Sequence, residues 1–291
     1  MTEPFGGIEL MHSGHVGCPG CGATLAMKLA LRALGEQTIL VIPACCWAII
    51  AGGHPETALK VPVLQTGFAT TAAAASGLRA ALDFRGERDT TVVGWAGDGG
   101  TFDIGLQALS AAAERGEDFI FVCYDNEAYM NTGVQRSSAT PFGTRTTTTP
   151  GGGGKRTGKK DIMAIMAAHR IPYAATASIA YPEDLMRKVR RAAAIRTGTR
   201  FLHVYASCPT GWGFAPQHSV KAARMAVECN MFPLYEVEDG TRYTLGGRGG
   251  SPVDEYLRMQ SRFRHLDAGA IARIQDQVDA AWARLEKQAR A

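Results

Sequence analysis

The sequence predicts an α/β protein: a mostly parallel sheet with helices on both faces. Three observations carry this. Short apolar runs of strand length alternate with longer helix-forming segments along most of the chain, as in repeated strand–helix–strand units. Two of those runs, 91–95 and 119–123, lead into polar, metal-capable residues, Asp98 and Asn126. Ligands of open α/β sheets bind where such strands end, at the carboxyl edge. The chain has 291 residues, 46% hydrophobic and 20% charged, enough for a sizeable core in one large domain or two small ones.

The elements follow in order. Residues 1–17 read as an extended arm. Cys18-Pro19-Gly20-Cys21-Gly22 is a tight turn that opens a helix over 23–34, which Gly35 stops. A strand over 38–42 delivers Cys45 and Cys46, and 61–64 is a further strand. The run 69–82 is a helix of small residues, suited to close packing. Strand 91–95, helix 103–115 and strand 119–123 form one unit. Residues 132–160, rich in Thr, Gly, Ser and Pro, carry no periodicity; a loop of that length in a compact domain is usually a lid or binding loop, or disordered. Helix 160–169, strand 173–177, helix 182–196 and strand 200–206 follow, and the last delivers Cys208. Helix 219–229, a hairpin-like extension over 232–243, and helices over 253–263 and 268–288 complete the chain. The expected division is a cofactor domain over 1–240 and a helical extension over 241–291, packed on that domain or on a partner subunit.

The formal net charge is +4, and the basic residues are scattered, so the sequence predicts no nucleic-acid partner. No basic segment followed by an apolar run opens the chain, and no stretch approaches ~18 uncharged apolar residues. The expectation is a cytoplasmic protein with no membrane contact. Seven cysteines are many for that compartment, where disulfides are disfavoured. The close pair Cys18 and Cys21 points to metal or redox use.

Gly97-Asp98-Gly99 follows a strand and precedes a helix, and the next strand ends at Asn126. Amides at such a turn and helix start can cradle a diphosphate. Asp98 and Asn126 can hold the Mg2+ that neutralises it, because Mg2+ takes oxygen ligands from a few side chains and from phosphate. The cysteines make a second constellation. Cys18, Cys21, Cys45 or Cys46, and Cys208 each lie in a turn or at a strand end, where loops converge. Four thiolates suit a [4Fe–4S] cluster or Zn2+, and Cys18/Cys21 alone could be a redox dithiol. Spacing leaves these three readings open.

Gly97-Asp98-Gly99 with Asn126 resembles the thiamine-diphosphate motif, so the fold implied is a thiamine-diphosphate-binding, pyrophosphate-type domain. In that motif Asp98, Asn126 and the carbonyl of Ala128 would bind Mg2+, with Gly97, Gly99 and Thr132 at the cofactor. One departure is visible: Asp125 stands where many members have Asn. Set beside Gly14-His15, Cys18-Pro19-Gly20-Cys21-Gly22 and the run Tyr124-Asp125-Asn126-Glu127-Ala128-Tyr129-Met130-Asn131-Thr132-Gly133-Val134-Gln135-Arg136-Ser137-Ser138, the chain resembles the 2-oxoacid:ferredoxin oxidoreductases. The pattern is nearest to the beta subunits acting on pyruvate, and it covers roughly residues 12–240.

That resemblance implies a [4Fe–4S] cluster held by Cys18, Cys21, Cys46 and Cys208, with Cys45 the alternative to Cys46. It places Tyr129 and Asn131 beside the thiazolium as catalytic candidates. It implies oxidative decarboxylation of pyruvate with CoA, giving acetyl-CoA and CO2 and reducing ferredoxin, reversibly. The Glu that activates thiamine diphosphate would come from an alpha subunit carrying the pyrimidine-binding domain, with gamma and delta ferredoxin-like subunits carrying electrons. The chain alone would be inactive. Rivals are the same chemistry on 2-oxoisovalerate, 2-oxoglutarate, indolepyruvate or oxalate, and a zinc-stabilised nucleotide-binding or scaffold module.

Overall fold

The computed structural model describes residues 8–149 and 153–290. Its first half contains α1 (Gly22–Leu34), β1 (Thr38–Pro43), α2 (Cys46–Ile50), β2 (Val63–Thr66), α3 (Thr71–Phe84), β3 (Thr91–Gly97), α4 (Leu106–Glu114) and β4 (Ile120–Asp125). Its second half contains α5 (Ile162–Ala168), β5 (Tyr173–Ser178), α6 (Pro182–Ala194), β6 (Arg200–Tyr205), α7 (Pro209–Trp212), α8 (Ser219–Glu228), β7 (Tyr235–Glu238), β8 (Arg242–Leu245), α9 (Val253–Arg258) and α10 (Ala268–Arg290). The eight strands form one sheet in the order β2-β1-β3-β4-β6-β5-β7-β8. β1 to β6 run parallel, and β7 and β8 add an antiparallel hairpin at one edge.

The strand sequences explain the layering. Every residue of β4, β5 and β6 is buried, as expected of parallel strands covered on both faces. Alternate residues feed two cores. Val93 and Trp95 face one, beside side chains of α1, α6, α8 and α9. Val92 and Ala96 face the other, beside α3, α4 and α5. Each large apolar side chain buried this way contributes about 1.5–3 kcal/mol relative to exposure. Local signals set the helix ends. Gly35 at φ +83° closes α1, the Asp161 carboxylate caps α5 by accepting from Ala164 N at 2.9 Å, and α6 opens with Pro182, Glu183 and Asp184.

The chain leaves β1 for β2 on one side and returns to β3 on the other. That reversal is the topological switch point, the place where open α/β sheets bind ligands. The carboxyl ends of β1, β3, β4 and β6 all open there.

Several expectations shift. A wide π-type turn over Gly99–Asp103 takes up the start of the helix expected from 103, so α4 begins at Leu106. Cys45 and Cys46 do not end a strand: Cys45 caps α2 and Cys46 opens it. The expected helix over 253–263 is α9 followed by a separate 3-10 turn, Ser261–Phe263. Residue 240 falls in the tight turn between β7 and β8, and the segment beyond it puts Val253, Tyr256, Leu257 and Ile274 into one of the two cores. Between Asp125 and Ile162 no described residue lies in a helix or strand. Among the described residues no helix is long and apolar enough to cross a membrane.

Candidate active site

β3 and β4 are paired with Gly97 opposite Tyr124, so Asp98 and Asn126 emerge side by side. Asp98 is 1% exposed. Ser137 Oγ donates to its Oδ2 at 2.5 Å, and Asn126 N donates to its Oδ1 at 3.4 Å. The outer amide atom of Asn126 lies 3.0 Å from Asp98 Oδ1 and 3.0 Å from the Ala128 carbonyl. In the metal-free chain an NH2 at that place donates to both oxygens. Turned the other way, the amide puts three oxygens around one point.

The turn after β3 is shaped by Tyr129. A Cβ on Gly99 would sit 2.2 Å from the Tyr129 ring, so only glycine fits. Tyr129 donates its hydroxyl proton to Asp103 Oδ2 at 2.8 Å, and Ser138 N donates to the same oxygen at 3.1 Å. The Tyr129 phenol, expected beside the reacting centre, is thus committed to bracing the Gly99–Asp103 turn. An open cleft of about 180 Å3 lies over this corner, lined by Gly97, Asp98, Tyr129, Asn131, Thr132 and Cys45 among others.

Below the corner lies a buried charge cluster. Burial and the neighbouring Asp125 charge push the Asp98 carboxyl well above the usual range. Burial would raise Asp125 too, but Lys159 and His203 overcome it and hold it at about 2. Lys159 Nζ is 2.5 Å from Asp125 Oδ2 and 3.1 Å from Glu127 Oε1. His203 Nε2 is 2.7 Å from Asp125 Oδ2, and burial keeps its imidazole below its usual pKa. Arg262 approaches Glu127 Oε2 at 2.6 Å. Three carboxylates, Asp98, Asp125 and Glu127, therefore meet two cations, Lys159 and Arg262. The charges balance with Asp98 neutral, which leaves that carboxyl without a paired cation among the described residues.

The described part of the loop that delivers Ser137 and Lys159 contains no helix or strand. Lys155 Nζ donates to the Ser138 carbonyl at 3.1 Å, to Gly158 O at 3.0 Å and to Thr140 O. One buried ammonium gathers three backbone carbonyls.

Cys18, Cys21, Cys46 and Cys208 line a single cavity of about 290 Å3. Cys21 N donates to Cys18 O at 3.0 Å, and Gly22 N to Ser207 O at 3.0 Å, which locks the first motif to the end of β6. Burial and the nearby sulfurs of Cys45, Cys208, Cys21 and Cys18 push the Cys46 thiol up to about 12. Burial, with Cys21 and Cys18, takes Cys208 to about 11, although Gly211 N donates to its sulfur at 3.3 Å. Among the described residues no three His, Cys, Asp or Glu side chains close on one point as ligands of a single ion; the thiols surround a volume. Cys45 is absent from that cavity's lining and turns to the cleft, facing Tyr124. Cys123 and Cys229 are buried core residues. Met130 and Asn131 line both the cleft and the cysteine cavity.

Sequence reasoning gave no site role to Ser137, Lys159 or Arg262, all outside regular strands. Trp212, just after Cys208, donates its indole N–H to the Asn126 carbonyl at 2.8 Å, so the Cys208 segment and the Asn126 turn touch directly.

Residues 47–204 match the family model of the thiamine pyrophosphate enzyme C-terminal TPP binding domain. The chain is 51% identical over 275 residues to pyruvate synthase subunit PorB of Methanothermobacter thermautotrophicus, covering 93% of this chain and 95% of the relative. It is 48% identical over 301 residues to ketoisovalerate oxidoreductase subunit VorB of Pyrococcus furiosus, covering 99% and 96%. Among solved structures, 2-oxoglutarate:ferredoxin oxidoreductase from Magnetococcus marinus shares the fold, with a TM-score of 0.60 at 23% identity over 69% of this chain and 67% of that one. The chain belongs to the thiamine pyrophosphate-binding beta subunits of the 2-oxoacid:ferredoxin oxidoreductases, the family of PorB and VorB.

Proposed function

We propose that this chain holds thiamine diphosphate, Mg2+ and a [4Fe–4S] cluster, and that its complex converts pyruvate and CoA to acetyl-CoA and CO2 while reducing ferredoxin. The observation that carries the metal site is the pair of 3.0 Å separations from the Asn126 amide to Asp98 Oδ1 and to the Ala128 carbonyl. Oxygens at about 2.1 Å from Mg2+ in an octahedron stand about 3.0 Å apart along each edge. The Asp98 carboxyl, which has no paired cation among the described residues, fits the same ion. The four thiols fit a polynuclear cluster, because they line one volume from three separate chain segments.

Asp98, Asn126 and the Ala128 carbonyl would hold Mg2+, while Gly97, Gly99 and the amides of the turn face the diphosphate. Tyr129 keeps that turn in shape through Asp103. Thr132 and Asn131 stand at the cleft mouth, where Asn131 is the residue placed to orient a 2-oxoacid. Cys18, Cys21, Cys46 and Cys208 would ligate the cluster across the Met130–Asn131 wall. Bound thiamine diphosphate supplies the electron sink for loss of CO2, and a cluster supplies a one-electron acceptor.

The activating Glu would come from an alpha subunit, with gamma and delta subunits passing electrons to ferredoxin. A second reading, 2-oxoisovalerate as substrate, is favoured by the 48% identity to VorB across 99% of this chain. The test is anaerobic purification of the native complex, with iron, sulfide and thiamine analysis and a 2-oxoacid panel. The proposal predicts four iron and four sulfide in addition to the partners' clusters, and ferredoxin reduction fastest with pyruvate. A colourless, zinc-containing subunit would overturn the cluster, and faster turnover of 2-oxoisovalerate would reassign the substrate.

A further inference from the structure

Glu127 stands between two of the proposed metal ligands, Asn126 and Ala128, in an uncommon conformation. Its φ is +66°, in the left-handed region that is strained for a non-glycine residue. It persists where surrounding contacts over-determine it. Glu127 N donates to Asp125 Oδ1 at 2.9 Å, and its carbonyl accepts from Thr140 Oγ1 at 2.7 Å. Its carboxylate, 2% exposed as a residue, receives Lys159 on one oxygen and Arg262 on the other.

Arg262 is the distant partner, 135 residues along the chain in the C-terminal extension. Its guanidinium lies over the Trp212 ring, 4.1 Å from the centroid. Its Nε donates to Gln260 Oε1 at 2.8 Å, and its backbone carbonyl accepts from Arg145 N at 3.1 Å. Trp212, the platform beneath it, bonds the carbonyl of Asn126. Arg262 thus grips the turn twice: through the Glu127 carboxylate and through the indole under Asn126.

We propose that Arg262 is a positioning residue for the metal–diphosphate site. Its guanidinium fixes the left-handed turn that carries the Asn126 amide and the Ala128 carbonyl, and the C-terminal extension is thereby part of the cofactor site. The inference rests on Asp98, Asn126 and Ala128 holding Mg2+. Groups that orient ligands from behind typically set metal affinity by 10–100-fold. Lysine is a poor substitute, because a compact ammonium cannot stack on the indole and fork to the carboxylate together.

The experiment measures thiamine diphosphate binding to the assembled complex by calorimetry at stepped Mg2+ concentrations. Arg262→Met should raise the Mg2+ needed for half-saturation at least about tenfold, with subunit stoichiometry and iron content kept. Arg262→Lys should fall between it and the wild type. In Glu127→Gln/Arg262→Met the buried charge is no longer unpaired, so thermal stability should return while the Mg2+ requirement stays raised; a merely structural role would restore both. If Arg262→Met does not assemble, Glu127→Gln and Arg262→Lys decide. Wild-type Mg2+ dependence in these variants overturns the proposal. Asp98→Asn separates the two readings: if it binds as the wild type does, the metal site itself is wrong, and if it alone fails, only the role of Arg262 falls.

Discussion

The Ser137 hydroxyl donates to Asp98 Oδ2 at 2.5 Å, in a site where Asp98 is otherwise short of positive charge. The bond leaves Oδ1 directed at the Asn126 amide, so Ser137 chooses which carboxylate oxygen faces the proposed metal position. It also ties the loop after β4 to the end of β3.

Ser137→Ala should therefore weaken Mg2+-dependent thiamine diphosphate binding roughly tenfold, the usual cost of removing a hydrogen bond behind a ligand. Asp98→Asn should abolish it at millimolar Mg2+. Calorimetry of both variants in the assembled complex is the check. Equal affinity in Ser137→Ala and wild type would mean that the hydroxyl only fills space.

The adjacent cysteines should separate cleanly. Cys46 shares a cavity with Cys18, Cys21 and Cys208, while Cys45 faces Tyr124 in the cleft. Cys46→Ala should lose this subunit's iron and sulfide and its visible absorbance. Cys45→Ala should keep them. The reverse pattern would make Cys45 the ligand.

Much of this was legible in the sequence, and the reason is local. Asp98 and Asn126 end apolar runs, and a parallel sheet sends such ends to one edge, so two positions 28 residues apart become neighbours. Cys18, Cys21 and Cys208 sit at turns for the same reason. Tyr129 lines the cleft, but its hydroxyl partner, Asp103, depends on the π-type turn that no periodicity announces. Lys159 and Arg262 were illegible for a different reason. A lysine in a Gly/Thr-rich loop and an arginine in a charge-mixed tail look solvated, and only long-range packing buries them against Asp125 and Glu127.

The thiol environment gives a prediction for the metal-free chain. Burial and mutual repulsion hold Cys46 near 12 and Cys208 near 11, so both stay protonated at pH 8 and alkylate slowly, because the thiolate is the nucleophile. Cys18, exposed at the surface, should be carbamidomethylated first. Loading a metal group must release the protons of Cys46 and Cys208. Peptide mass spectrometry after short iodoacetamide pulses at pH 8 and pH 10 should show Cys18 modified well ahead of the other two. Uniform labelling would mean the cavity is open in solution.

Far from the cofactors, Glu236 on β7 should govern acid stability. Its carboxylate accepts from Tyr173 at 2.6 Å and from Arg187 and Arg191 at 2.8 and 2.9 Å. Burial alone would raise it, but those donors hold it at about 2, below its ordinary value of 4.5. A carboxylate lowered by folding adds stability that is complete above the unfolded value and is lost as pH falls toward 2. Arg187 and Arg191 are about half exposed, so solvent screening trims the contribution to roughly 2 kcal/mol. Glu236→Gln should lower the urea midpoint at pH 7 by a corresponding amount, and the gap to wild type should close between pH 4.5 and pH 2. A gap that stays constant across that range would mean the effect comes from packing against Tyr173 and not from the charge.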